Sequence, residues 1–371
     1  MSRVRVDLGP RSYDVAIGHD EPGAAFADFA RHCLDAHGHR GPAPSAFVVA
    51  DRNVAELAAP YASSLEAAGW RVAAATIPPG EASKSLDEAA RLYERLAALR
   101  ADRSTAVVAI GGGVVGDLAG FVAATYARGL PLLMIPTSLL AQVDSSVGGK
   151  VGVNLPAAKN LVGAFHQPAG VWVDLAHLRA LPDRERRCGL AEVVKYGVIL
   201  DEPFFESLER DADRLDRGDP AALGRVVARS CELKAGVVAA DEFERTGVRA
   251  VLNFGHTIGH AVEAVAGYGG GYEHGEAVAV GMVAEARLAG RLGRSGPEVA
   301  DRLVALLGRL GLPTAAPGLD PGRIVAAMAL DKKNVGGDIR FILPDRVGAV
   351  GPATAPEATL RAVVDAMVAS A

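Results

Sequence analysis

The chain has 371 residues, half of them apolar and 22% charged, with a formal net charge of -5 at pH 7. That length suits two domains with a core in each, and the apolar fraction excludes intrinsic disorder. The small negative charge gives no polyanion-wide footprint, so nucleic acid is not an expected partner. No run approaches the roughly eighteen uncharged apolar residues of a membrane span. The longest candidate, 129–143, is broken by Pro131 and Pro136. The N-terminus alternates from Arg3 to Asp7 and reads as a strand rather than a signal peptide. Cys33, Cys188 and Cys231 are an odd, widely spaced set with no CxxC, which argues against a disulfide framework and a cysteine zinc site. A cytoplasmic protein is expected.

Along the chain, Val4, Val6 and Leu8, then Tyr13, Val15 and Ile17, alternate around Gly9-Pro10 as a hairpin. Strands are predicted over 46–50, 72–77, 106–110, 132–135 and 170–173, and helices over 53–68 and 85–99. This alternation predicts an α/β domain over 1–181, with a mostly parallel, Rossmann-like sheet covered by helices. Residues 182–371 read as a mainly helical domain. Its helices fall at 185–200, 203–210, 221–240, 254–266, 275–293, 297–310, 321–331 and 357–370, with one clear strand at 339–343. The charged run from Asp211 to Pro220 reads as a solvated loop.

Of the 39 basic residues only seven are lysines: Lys84, Lys150, Lys159, Lys195, Lys234, Lys332 and Lys333. In a chain that uses arginine for ordinary surface charge, a retained lysine points to a need for its compact ammonium. Gly111-Gly112-Gly113-Val114-Val115-Gly116 follows a strand and opens a helix, a turn that lets a pyrophosphate approach free helix N–H groups. No acid follows the next strand at Ile135-Pro136-Thr137, so Asp51 is the candidate ribose ligand. The turn 78–84 adds Glu81 and Lys84. These features favour a nicotinamide nucleotide.

His256 and His260 stand four apart and share a helix face. That spacing suits two zinc ligands, or one ligand beside an acid/base group. His274 opens the next helix, and Glu192, within an apolar stretch with Lys195 nearby, is the best further ligand. The bland alternative is a buried Glu–Lys pair with two capping histidines. Asp144, Lys150, Lys159, Asn160, Lys234, Arg249, Asn253, Lys332 and Lys333 form a collection of anion ligands suited to a substrate with phosphate and carboxylate groups.

The segments 111–117, 136–150, 189–197, 252–260, 274–279 and 331–334 resemble the 3-dehydroquinate synthase family, in the family's order and over nearly the whole chain. The resemblance implies an NAD-binding α/β domain over 1–181 and a metal- and substrate-binding helical domain over 182–371. It implies an enzyme using NAD and Zn2+, or Co2+, to convert 3-deoxy-D-arabino-heptulosonate 7-phosphate to 3-dehydroquinate and phosphate, in the shikimate pathway. Glu192, His256 and His274 become metal ligands, and His260 the proton-handling group. Asp144, Lys150, Lys159, Asn160, Lys195, Lys234, Arg249, Asn253 and Lys332 or Lys333 become substrate ligands. The NAD set becomes Asp51, Glu81, Lys84, Gly112, Gly113, Asp117, Thr137, Ser138 and Leu140, with Asp144, Lys150 and Lys159 beside it. Arg128 is expected to reach a neighbouring subunit's phosphate site, hence a homodimer. Two departures from the family pattern are one extra residue in 244–249 and one in 268–274. An aminodehydroquinate synthase or another sugar-phosphate cyclase is the alternative; a glycerol-dehydrogenase-like enzyme would have no need of the lysines.

Overall fold

The computed structural model describes residues 1–20, 23–39, 44–156, 158–267, 271–329 and 339–369. The chain divides into two compact units, Met1–Leu181 with Val227–Phe243, and Pro182–Val226 with Glu244–Ala371. The segment Val227–Phe243 therefore groups with the first unit rather than with the helices around it. Its side chains explain this: Cys231 Sγ donates to Gln142 O, and Glu242 takes a two-pronged ion pair from Arg11.

The first unit contains β1 (Ser2–Val6), β2 (Tyr13–Gly18), α1 (Gly23–Ala36), β3 (Ser45–Asp51), α2 (Ala55–Ala67), β4 (Arg71–Ile77), α3 (Leu86–Ala98), β5 (Ala106–Gly111), α4 (Gly113–Thr125), β6 (Leu132–Pro136), β7 (Lys150–Leu155), β8 (Ala158–Phe165) and β9 (Gly170–Asp174). Seven strands form one sheet in the order β1-β2-β9-β6-β5-β3-β4, parallel except for the β1–β2 pair. Its middle strands are unbroken apolar runs because both faces are covered. On one face Val48, Ile110 and Ile135 pack with Phe26, Phe29, Tyr61 and Trp172, whose rings meet at 5.2–5.8 Å. The chain order turns between β3 and β5, and such a switch point opens a crevice at the strands' carboxyl ends. Asp51 and the glycine turn stand there.

The second unit contains α5 (Asp183–Leu200), α6 (Glu202–Asp216), the first residues of α7 (Pro220–Ala240), α8 (His256–Ala266), α9 (His274–Arg291), α10 (Pro297–Arg309), α11 (Pro321–Ala329), β10 (Phe341–Arg346), β11 (Ala349–Ala353) and α12 (Glu357–Ala369). α9 is buried almost all round, which makes it the axis of this core. Two glycines bring its neighbours to backbone contact. A Cβ on Gly275 would stand 2.2 Å from Cys188 O of α5, and one on Gly281 would stand 2.0 Å from Gly255 O at the head of α8.

Some expectations need correction. The charged run from Asp211 is not a loop: α6 continues to Asp216, because Ala212 and Leu215 extend the apolar stripe of Phe205 and Leu208. Asp211 and Asp213 pair outward with Arg225 and Arg309. Helix α1 and the antiparallel β7–β8 hairpin, read only as unassigned sequence and as anion motifs, are regular elements. β11 joins β10 as a second late strand, and β10 starts at Phe341 rather than at residue 339. Among the described residues no helix is long and apolar enough to cross a membrane.

Candidate active site

Glu192 lies in α5, where every residue from Cys188 to Ile199 is buried, and its side chain is 1% exposed. A carboxylate at that depth needs cationic or metal partners. Its Oε1 lies 3.5 Å from Nε2 of His256, the first residue of α8, and 3.5 Å from Nε2 of His274, the first residue of α9. One ligand atom from each of the three lies within 4.8 Å of the other two. His256 Nδ1 is 3.1 Å from Phe254 O; a proton donated there leaves the Nε2 lone pair facing Glu192. His274 Nδ1 is 3.5 Å from Glu263 Oε2, a carboxylate behind the ring that orients it and raises its basicity. Burial, helped by the charge of Lys195, holds His256 well below the ordinary imidazole pKa, in the neutral form a metal requires. Burial also acts on His274, but hydrogen bonds to Glu192 and Glu263 outweigh it and raise its pKa to about 9. Without a metal the ring is therefore an imidazolium between two carboxylates, and a bound metal would displace its Nε2 proton. One carboxylate and two imidazoles converging this closely fit a divalent metal with an open coordination position.

Lys195, 2% exposed, makes an ion pair with Glu192 Oε2, so the Glu–Lys pair and the triad occupy one cluster. His260 stands beside the triad, its ring 5.2 Å from that of His256 and 6.0 Å from that of His274. Arg249 is buried in the 3-10 turn Val248–Asn253, its Nε 3.6 Å from Glu244 Oε1, and Asn253 ends that turn.

In the first unit, α4 starts at Gly113 with Gly112 as its cap and no side chain capping it. A Cβ on Gly112 would come within 3.4 Å of Ser138 Oγ, and one on Gly113 within 3.3 Å of Ser145 Oγ. The glycines thus keep a narrow cradle open over a helix N-terminus, which fits a dinucleotide pyrophosphate. Thr137 N donates to Gly111 O, and Ser138 Oγ accepts from Ala141 N, where Leu140 leads into a π-helical turn over Ala141–Ser145. Asp51 accepts from Asn53 N at the end of β3.

Buried Lys84 joins Asp117 on α4 to Asn160 on β8. Burial raises the Asp117 pKa, and Lys84 opposes that rise. Asn154 donates to Glu81 Oε1 at 2.7 Å and accepts the Asn160 N–H at 2.9 Å, tying the 81–84 turn to the hairpin. Lys234 Nζ lies 2.6 Å from Asp144 O and 2.8 Å from Asp144 Oδ1. Lys150 is the exposed first residue of β7, and Lys159 is half-buried on β8. Arg128 is exposed in a turn where Ala127 and Arg128 have φ of 49° and 68°. Lys332 and Lys333 lie outside the described residues. The three cysteines are free and buried, their thiols pushed up to about 12 by burial, which removes them as nucleophiles.

Sequence reasoning missed Glu263, Asn154 and Glu285. Glu263 had a readable signal, since it follows His256 by two helical turns on the same face. Glu285 acts through backbone N–H groups of another helix, and Asn154 links the Glu81 side chain to the Asn160 N–H, so neither partner is written beside it in the sequence.

Residues 74–188 match the family model described as 3-dehydroquinate synthase N-terminal, and residues 189–334 the one described as 3-dehydroquinate synthase C-terminal. Over 352 residues the chain is 49% identical to a 3-dehydroquinate synthase of Desulforamulus reducens, covering 94% of this chain and 95% of that relative. Among solved structures it resembles 2-deoxy-scyllo-inosose synthase complexed with carbaglucose-6-phosphate, NAD+ and Co2+, at 28% identity and TM-score 0.85 over 99% of this chain and 100% of the other. It also resembles 2-epi-5-epi-valiolone synthase of Streptomyces hygroscopicus with NAD+ and Zn2+ bound, at 26% identity and TM-score 0.85 over 99% and 98%. The matched models and the extent of identity agree with the geometry: the chain belongs to the 3-dehydroquinate synthase family.

Proposed function

We propose that this protein converts 3-deoxy-D-arabino-heptulosonate 7-phosphate to 3-dehydroquinate and phosphate as a cytoplasmic homodimer, using NAD and a divalent metal, Zn2+ or Co2+. The observation that carries this reading is the convergence of Glu192, His256 and His274 with Lys195 in the same cluster. A plain alcohol dehydrogenase would not need an ammonium there. The 49% identity to a 3-dehydroquinate synthase, against 28% to the inosose synthase, favours this substrate over those of sister cyclases.

When bound, NAD would supply a hydride acceptor and donor, and the metal a Lewis acid at a substrate oxygen. The chain's own residues do the rest. Glu192, His256 and His274 hold the metal, and His260 moves a proton beside it. Lys195, Lys150, Lys234, Arg249, Asn253 and Asn160 hold the substrate's anionic and hydroxyl groups, and positioning of that kind supplies much of the rate. Lys332 or Lys333 joins them. Asp51 and the glycine turn hold the nucleotide, with Glu81, Lys84, Asp117, Thr137, Ser138, Leu140, Asp144 and Lys159. Arg128, exposed on its left-handed turn, reaches the phosphate site of a second copy.

The test is phosphate release from the heptulosonate phosphate with catalytic NAD. Turnover without net NADH is expected, because conversion of the heptulosonate phosphate to 3-dehydroquinate and phosphate is redox-neutral overall. Stoichiometric NADH, or no phosphate release, refutes the reading.

A further inference from the structure

Glu285 is a fully buried carboxylate on α9 that the reaction outlined above does not use. Its surroundings begin at the head of α8. A helix start leaves N–H groups that need acceptors, and a Ser, Thr, Asp or Asn at the cap position usually provides one. Here the cap is Gly255, at φ 79°, with no side chain to offer. Glycine is required, because a Cβ would stand 2.5 Å from Met282 Cγ. The acceptor comes instead from the neighbouring helix. Glu285 Oε2 accepts the Gly255 N–H at 2.7 Å, and Glu285 Oε1 accepts the Ile258 N–H at 3.2 Å. Those are the N–H groups of the cap and of the third helical residue, and His256 lies between them. The carboxylate also sits at the positive end of the α8 dipole.

We infer that Glu285 is a positioning residue for the metal centre. By gripping Gly255 and Ile258 it sets the rotation of the first turn of α8. That rotation fixes the direction of His256 Nε2, and of His260 one turn later. A carboxylate suits the task because it presents two acceptors and no donor. Glutamine would turn an N–H toward an N–H. The inference rests on the reading of Glu192, His256 and His274 as metal ligands.

The experiment titrates metal-stripped wild type, E285Q, E285A and E192A with Co2+, well below each variant's unfolding midpoint. Affinity and the Co2+ d–d spectrum are recorded, with thermal unfolding of the metal-free forms alongside. Wild type should bind with one defined spectrum and E192A should not bind. E285Q and E285A should bind about 10- to 100-fold more weakly, with shifted bands. A merely structural role would lower the unfolding midpoint and leave affinity and spectrum as in wild type, and that result overturns the inference. If E285A does not fold, E285Q, equal in size and still holding one acceptor, carries the test. Wild type that binds no Co2+, or E192A that binds it normally, overturns the metal reading beneath.

Discussion

Replacing Lys234 with arginine keeps a positive charge and changes its shape, and the surroundings set the cost. The lysine Nζ meets two Asp144 oxygens, at 2.6 and 2.8 Å, with its side chain 7% exposed. An ammonium serves two close acceptors from one atom, whereas a guanidinium spreads its donors across a plane. In a pocket this enclosed the planar group cannot occupy the same point, so at least one charge-assisted hydrogen bond is lost. Such a bond is worth about 1.5–3 kcal/mol. Where the bond lost is the one Lys234 is proposed to make to a substrate anion, that is about a ten- to a hundred-fold fall in kcat/KM. Fitting the larger head should also cost about 1–3 kcal/mol of stability from overpacking. Lys150→Arg is the natural control, since Lys150 is exposed at the start of β7 and should keep its thermal midpoint. Steady-state phosphate release measured beside thermal unfolding separates the two effects. Wild-type kcat/KM in Lys234→Arg would show that either cation serves and that the scarcity of lysine was chance.

Alanine at Glu192, His256 or His274 should abolish metal binding and turnover together, while His260→Ala keeps its metal and loses turnover; a metal-free His260→Ala protein contradicts that division. Gly281→Ala sets a methyl against Gly255 O and should destabilise the chain by about 1–3 kcal/mol in urea unfolding. An unchanged midpoint would mean that α8 and α9 separate freely. Asp219 accepts the Ala222 N–H at the head of α7, and that backbone hydrogen bond, with Arg214 nearby, holds its carboxyl below the ordinary 3.8. A depressed folded pKa gives stability that is present above the unfolded value and lost as pH falls through the folded one. Thermal melts of Asp219→Ala should therefore trail wild type at neutral pH and converge with it in acid. A gap that widens in acid would reverse the sign of this reasoning.

Much of the fold was legible because buried strands and amphipathic helices carry distinct periods, as at Ala106–Gly111 and Leu86–Ala98. Helix α1 was readable from Phe26, Phe29, Ala30 and Cys33 but has no strong start signal, and α6 was cut short because charge outweighed the spacing of Ala212 and Leu215. The candidate ligands stood out because histidine is rare here and lysine rarer. The contacts around them did not. Asn154 and Glu285 bind backbone N–H groups, and a backbone group looks the same in every sequence. That Val227–Phe243 groups with the first unit was equally hidden, since it depends on partners such as Gln142, 89 positions from Cys231.

Helix α9 works as a ruler. His274, Gly281 and Glu285 are spaced by seven and then four residues, about two and three turns from the first at 3.6 residues per turn, so all three lie along one line of the helix. Inserting or deleting one residue between His274 and Glu285 would rotate one end by about 100° against the other. It would part the imidazole from the carboxylate that steadies its neighbour. Chain length inside this helix is therefore fixed by geometry. The extra residue expected in 244–249 falls where Glu244 to Val248 are exposed, outside any helix whose turns must stay in step.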